Sequence, residues 1–464
     1  MNAFVSIGLT LLSLILLITE TYAAGVIFAV LSFIAFAGEV KKQYGLNSIF
    51  FLFILFFGLY GYSVPLSILF GLDIGWHKVA KFYYWDKIDA SLFSFLISNQ
   101  IALIALVLAN EALRKLNVLR TEQHSHKFSF FTLSILTALL TSIFEFINFV
   151  RVGGFSAVKK GKAFYQSSVN DLVLNVPTEG YFYVALAFFT LSIVRNETSF
   201  KDWNRWFKFI LSVSFFVLLN VLIGERGILV FGMGVLFLGF TSQIKLKKFR
   251  FSLLIFLGIM YLLFNVMTIL REPNKSFNGV QSFLEENGKL LSRLMNPANT
   301  EFGSAAFNYR VFISEDFEYR LGSSYIEGVL SPIPTYVYRN KPQSISYEYR
   351  DKFNSDRKAQ GSIAGTGFSS LLEAYVNFGY FGPFVVYFFL GVVLVLLELY
   401  RNTGRLFVDV FYLISFSIFM IFSRSASSYL FLKLMFYLFQ ILSPLILYHL
   451  LFMGWKRSTD DLEI

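Results

Sequence analysis

The chain has no cysteine and only four histidines among its 464 residues. Without cysteine there is no disulfide, no thiolate zinc site, no iron–sulfur cluster and no cysteine nucleophile. The histidines are poorly placed for chemistry: His124 and His126 lie in a short basic segment, His449 lies deep in an apolar run, and His77 stands alone. Neither HExxH nor any other metal spacing is present, and no Walker A or Rossmann glycine pattern occurs. Charge is scarce as well. Only 15% of residues are Asp, Glu, Lys or Arg, against about 25% in soluble globular domains. Together with apolar residues gathered in long blocks, this excludes a soluble globular protein, a disordered chain and a coiled coil. No 20–50-residue repeat, low-complexity tract or pair of broken helices in matching halves is visible, the last being the pointer to an inverted-repeat transporter.

What the chain does contain is hydrocarbon. Hydrophobic residues make up 56%, 58 residues are Phe, and the mean hydropathy is +0.60. A helix needs about 20 apolar residues to cross the roughly 30 Å hydrocarbon layer. The runs 2–18, 22–38, 48–70, 91–109, 128–149, 181–194, 208–223, 227–243, 251–270, 383–400, 406–423 and 428–452 therefore predict an all-α polytopic membrane protein of about 12 transmembrane helices. Only Gly224, Glu225 and Arg226 separate the seventh run from the eighth, which reads as a tight helical hairpin. No basic residue precedes the first run, so it reads as an uncleaved span rather than a signal peptide.

The net charge of +10 fits either nucleic-acid binding or membrane topology, and the positions of the charges separate the two. Lys41 and Lys42, Arg114 to Lys127, Arg195 to Lys208, Lys245 to Arg250, Arg401, Arg405, Lys456 and Arg457 all follow even-numbered spans. By the positive-inside rule both termini are cytoplasmic, and the basic clusters are inter-helical loops rather than a nucleic-acid surface. The opposite face receives loops near 73–90 and 150–180, and a large extracytoplasmic loop at 271–370. The chain divides accordingly into 1–270 (spans 1–9), the loop 271–370, and 371–464 (spans 10–12 and a cytoplasmic C-terminus). That loop is polar, rich in Tyr and near charge balance, and its 277–295 stretch suits an amphipathic helix lying on the membrane surface. Its length argues for a function and its aromatic content against disorder.

A few residues stand out chemically. Arg226 sits at the hairpin turn Gly224-Glu225-Arg226-Gly227, where an uncompensated charge is costly. A guanidinium fork at a helix N-terminus suits a phosphate; pairing with Glu225, or snorkelling to headgroups, is the alternative. The loop adds Arg271, Arg310, Arg320, Arg339, Lys341, Arg350 and Arg357, most of them expected to be solvated or paired. Arg350 and Gly361 match an Arg-x10-Gly spacing that chance alone supplies about once. Beyond the loop, Glu373 and Asn377 are four residues apart and share a helix face. A carboxylate there suits a general base toward a sugar hydroxyl, or a structural cap or pair. Gly379 and Gly382 allow close helix packing. Arg424, Lys433 and Glu145 either line a cavity or, for the cations, snorkel.

Three segments give the chain its resemblance to a family. They are the hairpin GERGILVFGMG (224–234), the stretch EDFEYRLGSSYIEGVLSPIPTYVYRNKP (315–342), and GTGFSSLLEAYVNFGYFG (365–382). With them the chain resembles the bacterial O-antigen polymerases, or Wzy-type oligosaccharide repeat-unit polymerases. The resemblance implies a GT-C-like membrane glycosyltransferase architecture in the bacterial inner membrane, with the large loop periplasmic. It implies en bloc transfer of a glycan from one undecaprenyl-diphosphate-linked oligosaccharide to another, without cofactor, metal or nucleotide sugar. Membrane lipids and a polysaccharide chain-length regulator are the partners it suggests. Carried onto this sequence, it makes Arg226 and Glu373 the catalytic candidates, and Arg310, Arg320, Arg339, Lys341, Tyr375 and Asn377 the substrate contacts. The related O-antigen ligases place a histidine near Phe368 to Ser370, and none is present here. The alternatives are that ligase activity, with transfer to lipid A–core, and a flippase or transporter for lipid-linked oligosaccharides.

Overall fold

The computed structural model describes residues 2–72, 90–116, 128–159, 177–199, 201–223, 225–243, 296–299, 301–313, 317–333, 344–353, 368–401 and 405–453, with a few single positions between them. Regular structure among the described residues is entirely helical. In chain order the helices are α1 (Asn2–Ile18), α2 (Tyr22–Tyr44), α3 (Ile49–Leu69), α4 (Ala90–Leu113), α5 (Phe130–Arg151), the single turn α6 (Phe155–Lys159), α7 (Thr178–Val194), α8 (Trp203–Ile223) and α9 (Arg226–Gln243). The loop region contributes α10 (Ser304–Ile313), α11 (Ser323–Leu330), α12 (Ile345–Phe353) and α13 (Ser370–Phe378). The chain then continues as α14 (Phe381–Tyr400), α15 (Leu406–Phe422) and α16 (Ser427–Tyr448).

Among the described residues, seven helices are long and apolar enough to cross a membrane, namely α2, α3, α4, α5, α8, α14 and α16; α1, α7, α9 and α15 are shorter apolar helices. The expected span 251–270 and the expected amphipathic helix 277–295 lie outside the described residues. Several helices, α2 and α4 among them, run past the apolar runs that predicted them. α2, for example, continues to Tyr44 and carries Lys41 and Lys42 in its last turn, where the helix dipole favours cations. Local caps mark several starts: Ser48, Ser129 and Ser369 each accept a backbone N–H from the first turn of α3, α5 and α13.

In lipid, apolarity does not distinguish a buried face from an outward one, so polar and small residues fix the packing. Nearly every residue of α7 is buried, which makes it a central helix. α8 instead exposes Phe207, Ile210, Leu211, Leu218 and Leu222, an apolar stripe suited to acyl chains. Ser13 Oγ of α1 donates to the Gly25 carbonyl of α2 at 2.8 Å, and Ser6 Oγ to that of Ser32 at 3.0 Å. The bundle end holding the α2–α3 turn is clamped by charge. There Glu398 accepts from the Phe50 backbone N–H at 3.2 Å and from Tyr412 at 3.1 Å, and Arg195 meets Asp409 at 3.3 Å.

The opposite end bears the loop, and part of that loop sinks into the bundle. Asn296 accepts from Ser67 of α3 at 2.6 Å, and Tyr309 shares a 2.6 Å hydrogen bond with Ser98 of α4. Phe302 stacks edge-on against Tyr60, with ring centroids 5.0 Å apart. Ala305, Ala306, Phe307 and Tyr309 are buried in the same core as the spans. A segment of the loop thus serves as wall for the bundle.

Candidate functional site at the loop-bearing end

The alternation of the helices brings the starts of α7, α9, α14 and α16 and the end of α15 to the loop-bearing end. Two polar constellations occupy it.

The first is a joint between loop and bundle. The α13 residues Glu373 and Asn377 are 1% and 0% exposed. Glu373 Oε1 accepts from Ser324 Oγ of α11 at 2.8 Å and from Ser427 Oγ at 2.7 Å, while Oε2 accepts the Ser427 backbone N–H at 2.6 Å. Asn377 donates to Ser324 Oγ at 2.8 Å, and its Oδ1 accepts the Gly322 N–H at 2.9 Å. The chain before α11 turns back through left-handed backbone at Leu321 and Gly322, with Arg320 and Leu321 donating to the Val376 and Asn377 carbonyls. Only glycine takes this conformation without steric cost. The first turn of α16 is fastened again where Ser331 Oγ donates to the Ser428 carbonyl at 2.8 Å and Ser344 bonds Ser428 Oγ at 2.6 Å. Burial raises the Glu373 carboxyl above its ordinary value, against the lowering effect of the Ser427 and Ser324 hydrogen bonds.

The second constellation is cationic. Lys433 of α16 hydrogen-bonds Glu179 of α7, whose other oxygen accepts from Tyr183 at 3.0 Å, and its ammonium lies 5.3 Å from the centre of the Tyr429 ring. Arg424, in the α15–α16 turn, lies close enough to the Tyr60 hydroxyl of α3 to act on it electrostatically. Arg424, Glu179 and Glu225 all act electrostatically on Tyr429, and Glu179 and Glu225 both act on Lys433. The chain around Arg226 therefore converges on the same region. Lys433 pairs inside the bundle and does not snorkel. Glu145 likewise turns inward, accepting from Thr178 at 2.6 Å and from Tyr165 at 3.4 Å.

The residues singled out from sequence fall into three groups. Glu373 and Asn377 are brought together as their spacing predicted, with their polar atoms engaged in the joint. Tyr375 belongs to an aromatic group with Tyr309, Phe317, Tyr319 and Tyr380, at centroid separations of 5.1 to 6.4 Å. Arg320 is tied to Glu327, 3.4 Å away, and to Glu348. Arg310 sits half-buried in the last turn of α10. Arg226 opens α9, and its side chain, like Arg339 and Lys341, lies outside the described residues. Sequence reading missed Ser324, Ser427 and Glu179. The only signal for Ser427 was a serine directly before an apolar run.

Neither the curated proteins nor the solved structures contain a match to this chain. The family model for O-antigen polysaccharide polymerase Wzy, however, matches residues 1–456, nearly all of the 464. With loop and cations gathered at one end of a multi-pass helical bundle, the chain belongs to the O-antigen polysaccharide polymerase Wzy family.

Proposed function

We propose that this chain polymerises undecaprenyl-diphosphate-linked oligosaccharide repeat units at the periplasmic face of the inner membrane. Family membership supplies the general activity, polysaccharide polymerisation in a membrane. The basic short loops support an orientation with the loop-bearing end outside the cytoplasm. The observation that carries the finer reading is the convergence of Arg424, Lys433 and the Arg226 turn beneath a fastened loop.

In the reaction, the bond between the anomeric carbon of the growing glycan and its diphosphate oxygen breaks. The departing undecaprenyl diphosphate keeps the electron pair. A hydroxyl oxygen at the non-reducing end of a new lipid-linked unit forms the replacement bond, and its proton passes to a base. Charge grows on the leaving diphosphate, so a fixed arginine stabilises the transition state more than the ground state. Arg226 takes this role. Glu373 and Asn377 act through position, because their oxygens and amide already hold the loop turn 320–324 and the start of α16. The aromatic group around Tyr375 faces the sugars, with the loop cations Arg310, Arg339 and Lys341 as secondary contacts.

The test is genetic and direct. In a host lacking its own polymerase, Arg226→Ala should abolish the ladder of long polysaccharide and leave single repeat units on lipid A–core. An unchanged ladder would remove Arg226 from the mechanism. Free polymer not attached to lipid A–core in a strain without this chain would instead mark a ligase, and repeat units trapped on the cytoplasmic side a flippase.

A further inference from the structure

Transfer to a sugar hydroxyl releases a proton, and Glu373, 1% exposed with three donors on its two oxygens, is closed to a substrate. We infer that Glu179, on the neighbouring polar constellation, is the base that takes the proton of the acceptor hydroxyl. This rests on the polymerase reading above and deepens it by naming a residue for the acceptor half of the same site.

Glu179 stands in the first turn of α7. Its Oε1 accepts from Tyr183 at 3.0 Å, and its Oε2 accepts from Lys433 of α16. An ionised carboxylate has about four lone-pair sites, so one donor on each oxygen leaves room for a hydroxyl. The Glu179 side chain also keeps 22% of its surface exposed, against 13% for Lys433. Lys433 is held in turn by the Tyr429 ring, 5.3 Å from its ammonium. Ionised groups among apolar helices are costly, and a partly buried ion pair is often no more stabilising than the apolar pair that could replace it. Stability is therefore a weak reason for this pair.

Packing sets Glu179 level with the turn that bears Arg226. Gly232 of α9 lies against Phe182 and Leu186 of α7, and Gly239 lies against Thr190. The two helices thus run parallel, and the same offset places Glu179 beside the first turn of α9, which Arg226 opens. Axes of packed helices lie about 8–10 Å apart, room for one sugar between a base on α7 and a diphosphate contact on α9. Lys433 follows Ser427 by six residues, about 9 Å of helix. The pair therefore lies inward of the turn of α16 that Glu373 fastens. In the step, the acceptor oxygen bonds to the anomeric carbon, and the diphosphate leaves with the electron pair of the broken C–O bond. The acceptor proton passes to Glu179 and from there to water at the loop-bearing end.

The test uses the full chain in lipid nanodiscs. The substrate is the lipid-linked repeat unit that accumulates when the gene for this chain is deleted from its own strain, and undecaprenyl diphosphate is the binding probe. Glu179→Gln keeps one acceptor oxygen but cannot take the proton, so the single-turnover rate should fall at least about a hundredfold. Affinity for undecaprenyl diphosphate should stay at the wild-type value. Glu179→Gln combined with Lys433→Gln replaces the ion pair by a neutral hydrogen-bonding pair and leaves no unmatched cation; it should be equally inactive. Thermal unfolding of each variant checks that it folds, and the double variant keeps the test usable if the single one does not fold. A smaller loss of rate in a folded Glu179→Gln chain would overturn the base and leave the polymerase reading intact. Recovery of the rate in the double variant would make the pair structural and overturn the base as well. So would a loss of undecaprenyl diphosphate affinity in parallel with the rate. A wild-type chain that extends none of the lipid-linked repeat unit would overturn both readings.

Discussion

Glu373 accepts the backbone N–H of Ser427 at 2.6 Å, a carboxylate of one short helix capping the first turn of a transmembrane helix 54 residues further on. The same carboxylate takes two serine hydroxyls. Three donors thus converge on one side chain, and a conservative substitution separates a positioning role from proton transfer. A glutamine in its place keeps one carbonyl oxygen for the Ser427 N–H and turns its amide toward hydroxyls that can accept. Glu373→Gln should therefore keep polymerisation within a few-fold of wild type, whereas Glu373→Ala should lose most of it. A general base would behave otherwise: Gln would cost about 10²–10⁴ in rate, with ladder length and single-turnover rate both collapsing.

The pH dependence of stability follows from the same residue. Burial is the largest influence on Glu373 and raises its carboxyl above the ordinary 4.5, outweighing the serine hydrogen bonds. A folded-state value above the unfolded one means that the folded chain holds this proton more tightly. Its contribution to stability is then fully present below about 4.5 and is lost as pH rises through the raised folded value. Burial shifts Glu327 in the same direction, with Glu348 adding to it and Arg320 opposing. The unfolding temperature of wild type minus that of Glu373→Gln isolates the first residue. This difference should decline as pH rises from 4.5, and a flat or rising curve would contradict the assignment.

How much of this was visible beforehand depended on the range of the interaction. The spans were legible because a bilayer demands about 20 apolar residues wherever a helix crosses it. The shared face of Glu373 and Asn377 was legible because four residues make about one helical turn. Their partner Ser324 was not, since it lies 49 residues from Glu373 and serine is too common to announce a role. Lys433 read more readily as snorkelling than as lining a cavity because its partner Glu179 is 254 residues away. The burial of 304–309 was hidden by length. Ala305, Ala306, Phe307 and Tyr309 make an apolar patch too short to span, inside a loop that is polar on average. Arg226 is singled out by its position in the sequence alone, and its side chain lies outside the described residues.

Arg320 offers a second separation of structure from chemistry. Its guanidinium meets Glu327 at 3.4 Å and also bonds Glu348, joining α11 to α12. If that is its work, Arg320→Ala lowers the unfolding temperature, and adding Glu327→Gln recovers part of the loss by removing the half-buried carboxylate left without its cation. A phosphate contact predicts no such rescue. The comparison of both unfolding temperature and ladder length between the single and double variants distinguishes the two.

The corner between α13 and α14 sets how firmly the joint can hold. Gly379 takes a left-handed φ of 58°, and a Cβ placed on Gly382 would collide with the carbonyl oxygen of Ala374. That obstacle is backbone, so no side-chain rotation relieves it. Gly382→Ala must separate α14 from the turn of α13 that carries Glu373. We expect it to cost about 1–3 kcal/mol, the scale of overpacking, and to shorten the polysaccharide ladder as the Glu373–Ser427 contact loosens. Gly8 of α1 and Gly38 of α2 provide the control, because a Cβ there meets nothing within 4 Å. Alanine at either should leave the ladder unchanged and, by its better helix propensity, raise stability by up to about 1 kcal/mol. Equal effects at Gly382 and Gly8 would show that the corner does not govern the joint.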